Sequence, residues 1–301
     1  MRAIVITEPG GPESLRAITV AVPEPAAGEL RIRVAGAGVN PVDASTRNGV
    51  FHALGWVQQH EHTGIGWDVS GTVDALGAGV AGPAIGTRVV ALLDTLNVPL
   101  GTYAESVVVP AAGVAEVPAG VDLVEAASLP LNVLTAGQAL DLLELQPGAE
   151  VLVTGAAGGI GGFVLPLAVS RGFRVTGLAR VGDAEFVRST GAELITELPA
   201  TPTFDGVIDA AELVEAALAV VRDGGQYVGV IPAAVPESIR DIHTSAVKVH
   251  HDGGRLGELL ELVRKGTLAV RVAGTWPLAD AAEAHRLLAK GGARGRYLLV
   301  P

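Results

Sequence analysis

The chain contains no cysteine among its 301 residues. That excludes disulfides, a thiol nucleophile, an iron–sulfur cluster and every zinc site built on thiolates. No uninterrupted apolar run reaches the roughly 18 residues of a membrane helix, although 49% of the residues are hydrophobic, so a membrane span is not expected. The opening Met1-Arg2-Ala3-Ile4-Val5-Ile6 is cut short by Glu8-Pro9-Gly10-Gly11 and reads as a first strand, not a signal peptide. Basic segments are lacking too: 21 basic against 32 acidic residues leave a net charge of −11, which argues against a nucleic-acid or anionic-membrane surface. There is no tandem repeat and no long low-complexity linker. The expectation is a soluble, cytoplasmic protein long enough for two domains, with neither nucleic acid nor membrane as partner.

Short strand-like runs fill the first part of the chain, among them Leu30-Arg31-Ile32-Arg33-Val34, Ser70-Gly71-Thr72-Val73 and Arg88-Val89-Val90-Ala91-Leu92, with turn residues between them. This pattern predicts a β-rich, barrel-like domain. From Asp122 the texture changes to helical stretches over 123–129 and 133–145, and an alternation of strands and helices then begins. Strands are expected at 204–209 and 226–231, helices at 183–189 and 212–221, and a turn at Asp223-Gly224-Gly225. Such an order implies a parallel sheet with right-handed crossovers. Amphipathic helices at 257–264 and 279–288 and a strand at 296–300 close the sequence.

The most informative segment is Val151-Leu152-Val153-Thr154 followed by Gly155-Ala156-Ala157-Gly158-Gly159-Ile160-Gly161. It reads as a buried strand passing through a glycine-rich turn into a helix, with Phe173-Arg174-Val175-Thr176-Gly177-Leu178 as the next strand, a βαβ unit of about 30 residues. Small residues at 156, 158 and 161 occupy the dinucleotide-fingerprint positions that serve the tight turn, backbone approach to pyrophosphate and helix–strand packing. Ala157, Gly158, Gly159, Ile160 and Gly161 are therefore candidate cofactor contacts, and phosphate would meet the positive end of the helix. Gly177 and Arg180 end the second strand, where no acid precedes Asp183. A guanidinium there suits the 2′-phosphate of NADPH, with a solvated surface arginine as the other reading. Gly229, Val230 and Ile231 should line the same crevice at the carboxyl end of a parallel strand.

Further segments resemble the medium-chain dehydrogenase/reductases, in the zinc-independent quinone oxidoreductase branch related to zeta-crystallin. They are Gly38-Val39-Asn40-Pro41-Val42-Asp43 with Arg47-Asn48-Gly49, Gly66-Trp67-Asp68-Val69-Ser70-Gly71, Gly101-Thr102-Tyr103-Ala104-Glu105, Ala126-Ala127-Ser128-Leu129-Pro130 with Thr135-Ala136, and two tail motifs. The tail motifs are Trp276-Pro277-Leu278 with Ala281-Ala282-Glu283-Ala284-His285, and Gly295-Arg296-Tyr297-Leu298-Leu299. The resemblance implies an α/β protein: a GroES-like β-barrel catalytic domain over 1–121, a Rossmann domain with a doubly wound parallel sheet over 122–245, and a return segment over 246–301. It also implies a homodimer formed through the Rossmann domains. By the same resemblance Asn40 lies beside nicotinamide or substrate, with a structural cap as the alternative, Thr135 is a nicotinamide-side residue, with simple helix packing as the alternative, and Arg296 is a cofactor-side residue. Asp43 is a candidate catalytic residue or a buried support. Tyr103 is expected to serve the barrel core, and His285 to sit on a surface helix.

The sequence departs from that pattern over 50–63, where a tyrosine common near Phe51 is missing, and at Ala179 and Arg180, which replace serine and lysine. His52, His60, Glu61 and His62 match no compact metal-site spacing, so no metal is expected. Without a Lewis acid, hydride goes most readily to an acceptor that spreads charge over a conjugated system. The expected activity is NADPH-dependent reduction of a quinone or an α,β-unsaturated carbonyl. An enoyl reductase of polyketide-type metabolism and a non-catalytic NADPH-binding structural or sensor protein are the alternatives.

Overall fold

A computed structural model describes every residue except Gln59, so the 50–63 departure is covered apart from that position. The chain divides into two units, Met1–Leu131 with His250–Pro301, and Asn132–Val249.

The first unit is β-rich, as its alternating sequence requires. Strand Glu29–Val39 is its spine: it pairs with Asp68–Leu76, with Ser106–Pro110 and with Arg296–Val300, all antiparallel. Arg88–Leu92 and Val114–Glu116 extend the sheet on one side, and Val272–Pro277 pairs in parallel with Arg296–Val300 on the other. A small sheet of Leu15–Thr19, Arg2–Ile6 and Thr63–Gly64 completes the unit. One core gathers Leu30, Ile32, Val69, Val73, Val89 and Val109. A second joins Ile4, Ile6, Val39, Ile65 and Tyr103 to Leu278, Ala281 and Ala284. Each fully buried aliphatic side chain there contributes about 1.5–3 kcal/mol.

The helical stretch expected over 123–129 is a short 3₁₀ turn, Glu125–Ser128, packed onto the barrel. A Cβ at Gly38 would stand 2.6 Å from the Ala127 carbonyl oxygen, so the glycine admits this turn onto the strand. The first unit runs through Leu131, ten residues beyond the boundary expected at 121. At the other boundary the units divide after Val249.

In the second unit six parallel strands lie in the order Glu193–Ile195, Arg174–Leu178, Glu150–Thr154, Phe204–Asp209, Val221–Gly229 and His243–Ala246. Numbered by sequence this is 3-2-1-4-5-6, the doubly wound arrangement. Val151, Leu152 and Val153 are fully buried, as a central parallel strand demands. Two local expectations differ from what forms. The helix expected over 212–221 is only Glu215–Ala219, because the Asp209 carboxylate accepts the Val214 N–H at 2.8 Å and holds Val214 at φ +48°. The turn at 223–225 is absorbed into the continuous strand Val221–Gly229, with Gly224 at φ +72° and a register irregularity opposite 204–206. Among the described residues no helix is long and apolar enough to cross a membrane.

Candidate functional site

The dinucleotide loop sits at the carboxyl end of the first strand of the parallel sheet. Gly155 takes φ +57°, and the Gly158 N–H closes onto the Gly155 carbonyl at 2.8 Å. A Cβ at Gly161 would lie 2.3 Å from that same carbonyl oxygen, and one at Gly158 2.9 Å from it. Side chains are therefore excluded at Gly158 and Gly161, where the turn meets helix Gly161–Ser170, and the helix is joined to the turn by the Gly162 N–H on the Gly158 carbonyl and the Phe163 and Val164 N–H groups on the Ile160 carbonyl. Gly177 has a packing duty, since a Cβ there would lie 2.8 Å from Ala156 Cβ. Arg180 is exposed just beyond strand Arg174–Leu178. Val230 is half-buried and Ile231 exposed at the end of strand Val221–Gly229, and Thr135 is buried on helix Pro130–Asp141.

Where the strand order reverses, a buried network missed by the sequence reading joins the first and fourth strands. Thr154 Oγ1 donates to Asp209 Oδ1 at 2.5 Å, and the Tyr227 hydroxyl donates to Asp209 Oδ2 at 2.9 Å. Thr154 Oγ1 in turn accepts the Ala211 N–H at 3.0 Å, which fixes the loop beside Gly155.

The first unit buries a second polar cluster. Asn40 caps helix Pro41–Asn48 in a capping box: Asp43 Oδ2 accepts the Asn40 N–H at 2.7 Å, while the Asn40 side chain faces the first turn without hydrogen-bonding to it. Asn40 Nδ2 instead donates to Asp68 Oδ2 at 2.8 Å, and Asp68 Oδ1 accepts the Leu131 N–H at 2.7 Å. Because a carboxylate only accepts, Asp68 fixes which end of the Asn40 amide points its way. The buried Asn40 Oδ1 is left without a hydrogen bond. Asp43, Asp68 and Asn40 are wholly inaccessible to solvent. Burial pushes the Asp43 carboxyl up to about 8, with the neighbouring Asp68 adding to the rise. Burial likewise pushes Asp68 up to about 6, although the Asn40 and Leu131 hydrogen bonds and the Arg296 charge oppose it. Arg296, on the last strand, attracts both carboxylates.

His285 is not on a surface helix face. It is fully buried, with Nε2 3.1 Å from the Tyr103 hydroxyl and Nδ1 2.9 Å from Arg47 Nη1. The signal was present: Ala281, Ala284, His285 and Leu288 recur at helical spacing, so the histidine falls in the apolar stripe of helix Ala281–Lys290. Tyr103 does belong to the barrel core, but its hydroxyl also donates to Asp43 Oδ2 at 3.2 Å. Among the described residues no three His, Asp or Glu side chains form a group that could hold a metal ion. His60 instead has Nε2 2.9 Å from Asn97 Oδ1.

Two family models match the chain: the alcohol dehydrogenase GroES-like domain over 26–119 and the zinc-binding dehydrogenase domain over 181–299. The chain is 31% identical to the chloroplastic NADPH-dependent alkenal/one oxidoreductase of Arabidopsis thaliana, over its whole length and 80% of the relative's. It belongs to the medium-chain dehydrogenase/reductases, in the quinone oxidoreductase branch. Among solved members, the quinone oxidoreductase from Coxiella burnetii superposes with a TM-score of 0.92 at 28% identity, covering 100% of this chain and 99% of the other. A mycobacterial protein solved in complex with NADPH gives 0.84 at 29% identity, with both chains fully covered. Although one matching family is zinc-binding, this medium-chain dehydrogenase/reductase has no cysteine and so no thiolate to offer a zinc ion.

Proposed function

We propose that the protein is an NADPH-dependent reductase of quinones or α,β-unsaturated carbonyl compounds that works without a metal. The observation that carries this reading is the glycine turn at 155–161, closed to side chains at Gly158 and Gly161 and lying at the carboxyl edge of a 3-2-1-4-5-6 parallel sheet. Full-length similarity to an alkenal/one oxidoreductase supports the acceptor class. When bound, the dinucleotide supplies the hydride. The residues present fit it. The loop from Ala157 to Gly161 would hold the pyrophosphate at the start of a helix. Arg180, exposed and beyond the second strand, would pair with the 2′-phosphate, while Thr135, Val230 and Ile231 would flank the nicotinamide side. Asn40 Oδ1, buried and without a hydrogen bond, suits an N–H donor such as a carboxamide. Asn40 therefore acts as a holding group through its acceptor end, since its donor end is committed to Asp68.

Asp43, held well above the usual carboxylate range, stores a proton at neutral pH within the same buried cluster, and Arg296 offsets the charge of Asp68. A homodimer formed through the parallel-sheet units, and a cytoplasmic location, belong to the same reading. The test is titration of purified, chelator-treated protein with NADPH and NADH, followed by a panel of quinones, enones and enoyl thioesters. Turnover of quinones or enones with NADPH, unaffected by chelation, is the expected result. Preference for enoyl thioesters would indicate a polyketide-type enoyl reductase, binding without turnover a non-catalytic role, and activity only after zinc addition would overturn the proposal.

A further inference from the structure

Four buried groups in the first unit form a hydrogen-bonded chain whose direction follows from donor and acceptor chemistry alone. A guanidinium has only donors, so Arg47 Nη1, 2.9 Å from His285 Nδ1, must donate to that nitrogen. With Nδ1 accepting, a neutral imidazole carries its proton on Nε2, which faces the Tyr103 hydroxyl at 3.1 Å. The phenol oxygen then accepts from His285 and directs its own hydrogen to Asp43 Oδ2 at 3.2 Å. That carboxyl oxygen also receives the Asn40 N–H at 2.7 Å. Arg47 is itself fixed at both remaining corners, with Nε donating to the Gly10 carbonyl at 3.2 Å and Nη2 to Asn48 Oδ1 at 2.5 Å.

We propose that Arg47, His285 and Tyr103 are positioning residues, a one-way relay that orients Asp43 and through it the Asn40 end of helix Pro41–Asn48. The proposal deepens the reductase reading in one respect, that Asn40 is part of the site; the direction of the relay does not depend on that reading. Each link is buried: Asp43, Tyr103 and His285 are wholly inaccessible and Arg47 is 4% exposed. A buried guanidinium needs an acceptor, and a buried imidazole beside it stays neutral; burial and the Arg47 charge push His285 down to about 3. The ionisable groups acting on Asp43 are Asp68, Tyr103 and Arg296, and Arg47 is acted on by Glu13 and Tyr103. With the imidazole locked in one tautomer, the phenol has one hydrogen and one place to put it.

The direct test is the nitrogen-15 spectrum of the histidine rings in the full-length protein between pH 5 and 8, with His285 assigned by the signal lost in His285→Gln. The expected result is a neutral ring with a protonated Nε2 throughout. Titration near pH 6.5, or a proton on Nδ1, would overturn the relay whether or not the protein reduces anything. Kinetics give the second test. Glutamine reproduces the polarity of the imidazole, its oxygen accepting from Arg47 and its nitrogen donating to Tyr103, whereas phenylalanine keeps ring volume and provides neither. His285→Gln should retain kcat/KM within about threefold, and His285→Phe should lose about 10–100-fold, chiefly in kcat, as expected for misplaced site groups. Tyr103→Phe removes a donor that stabilises the Asp43 carboxylate, so the alkaline limb of the pH profile should move upward. Equal losses in glutamine and phenylalanine variants, or an unmoved limb in Tyr103→Phe, would reduce these residues to packing. If the wild type turns over no acceptor while the ring shows the expected tautomer, the reductase reading fails and the relay stands.

Discussion

Replacing Asp43 by asparagine should abolish a specific loss of stability with rising pH. In the fold this carboxyl titrates near 8 against an ordinary value of 3.8, so between those values the native state keeps a proton that the unfolded chain has released. Protons bound in the unfolded minus the native state is then −1, and stability falls by about 1.4 kcal/mol per pH unit. Two neighbours change at lower pH than Asp43 does. Asp68, raised to about 6, adds to the fall only up to that pH. His285, lowered to about 3 from 6.5, works the other way and contributes stability that is lost as pH falls below 6.5. Above pH 6.5 Asp43 is left as the group in this cluster that still changes, so the wild type should lose about 2 kcal/mol between pH 6.5 and 8 through it. Asparagine mimics the protonated acid: its oxygen accepts from the Asn40 N–H and the Tyr103 hydroxyl, and its NH₂ replaces Oδ1, which makes no hydrogen bond. Urea denaturation of both proteins at half-unit pH steps measures the difference, provided the m-value holds constant. Parallel stability curves across that window, or a wild type that gains on the variant as pH rises, would refute the buried, proton-holding Asp43.

Three further outcomes are expected. Arg180→Ala should weaken NADPH by about 1–3 kcal/mol and leave NADH nearly unchanged in fluorescence titrations, because only the 2′-phosphate loses a charge-assisted contact; equal losses would mean that Arg180 is a solvated side chain. Gly161→Val places a Cβ 2.3 Å from the Gly155 carbonyl oxygen, so nucleotide affinity should drop at least tenfold with a lowered melting temperature, and unchanged binding would displace the phosphate site from this turn. Asp68→Ala strands two buried donors, Asn40 Nδ2 and the Leu131 N–H, and should cost about 2–6 kcal/mol at 1–3 each; a loss under about 0.5 kcal/mol would show that neither bond matters to the fold.

The glycine turn and its flanking strands were legible because each rests on residues close together in the chain. Apolar runs at 151–154 and 204–209, separated by turn and helix signals, predict parallel strands with crossovers, and the doubly wound arrangement came from the family resemblance. Asn40 and Asp43 were legible through the resemblance of 38–43 to a family motif, with a structural cap as the alternative for Asn40 and a buried support as that for Asp43. The rest of the cluster was not, for a geometric reason. Tyr103 and His285 are 182 residues apart, Arg47 and His285 are 238 apart, and no local pattern encodes a hydrogen bond across such separations. Composition also misled: Ala282, Glu283 and Arg286 give the 281–290 helix a polar look, and only counting the apolar repeat puts His285 inward. The helix expected over 212–221 failed because Asp209, Thr154 and Tyr227 hold the preceding loop through tertiary hydrogen bonds that outweigh local helix propensity.

The placement of strand Arg296–Val300 has a bearing on biosynthesis. This strand lies between Val272–Pro277 and the spine Glu29–Val39, pairing Tyr297 with Val39. A ribosome therefore releases the complete nucleotide-holding half before it makes the piece that zips the other half shut. Until then Asp43 and Asp68 lack both the cation of Arg296 and the imidazole of His285, and the long spine keeps one flank unpaired. The nascent polypeptide thus completes the parallel-sheet unit while the other still lacks its closing strand, which leaves the exposed flank of the spine a natural client for chaperones.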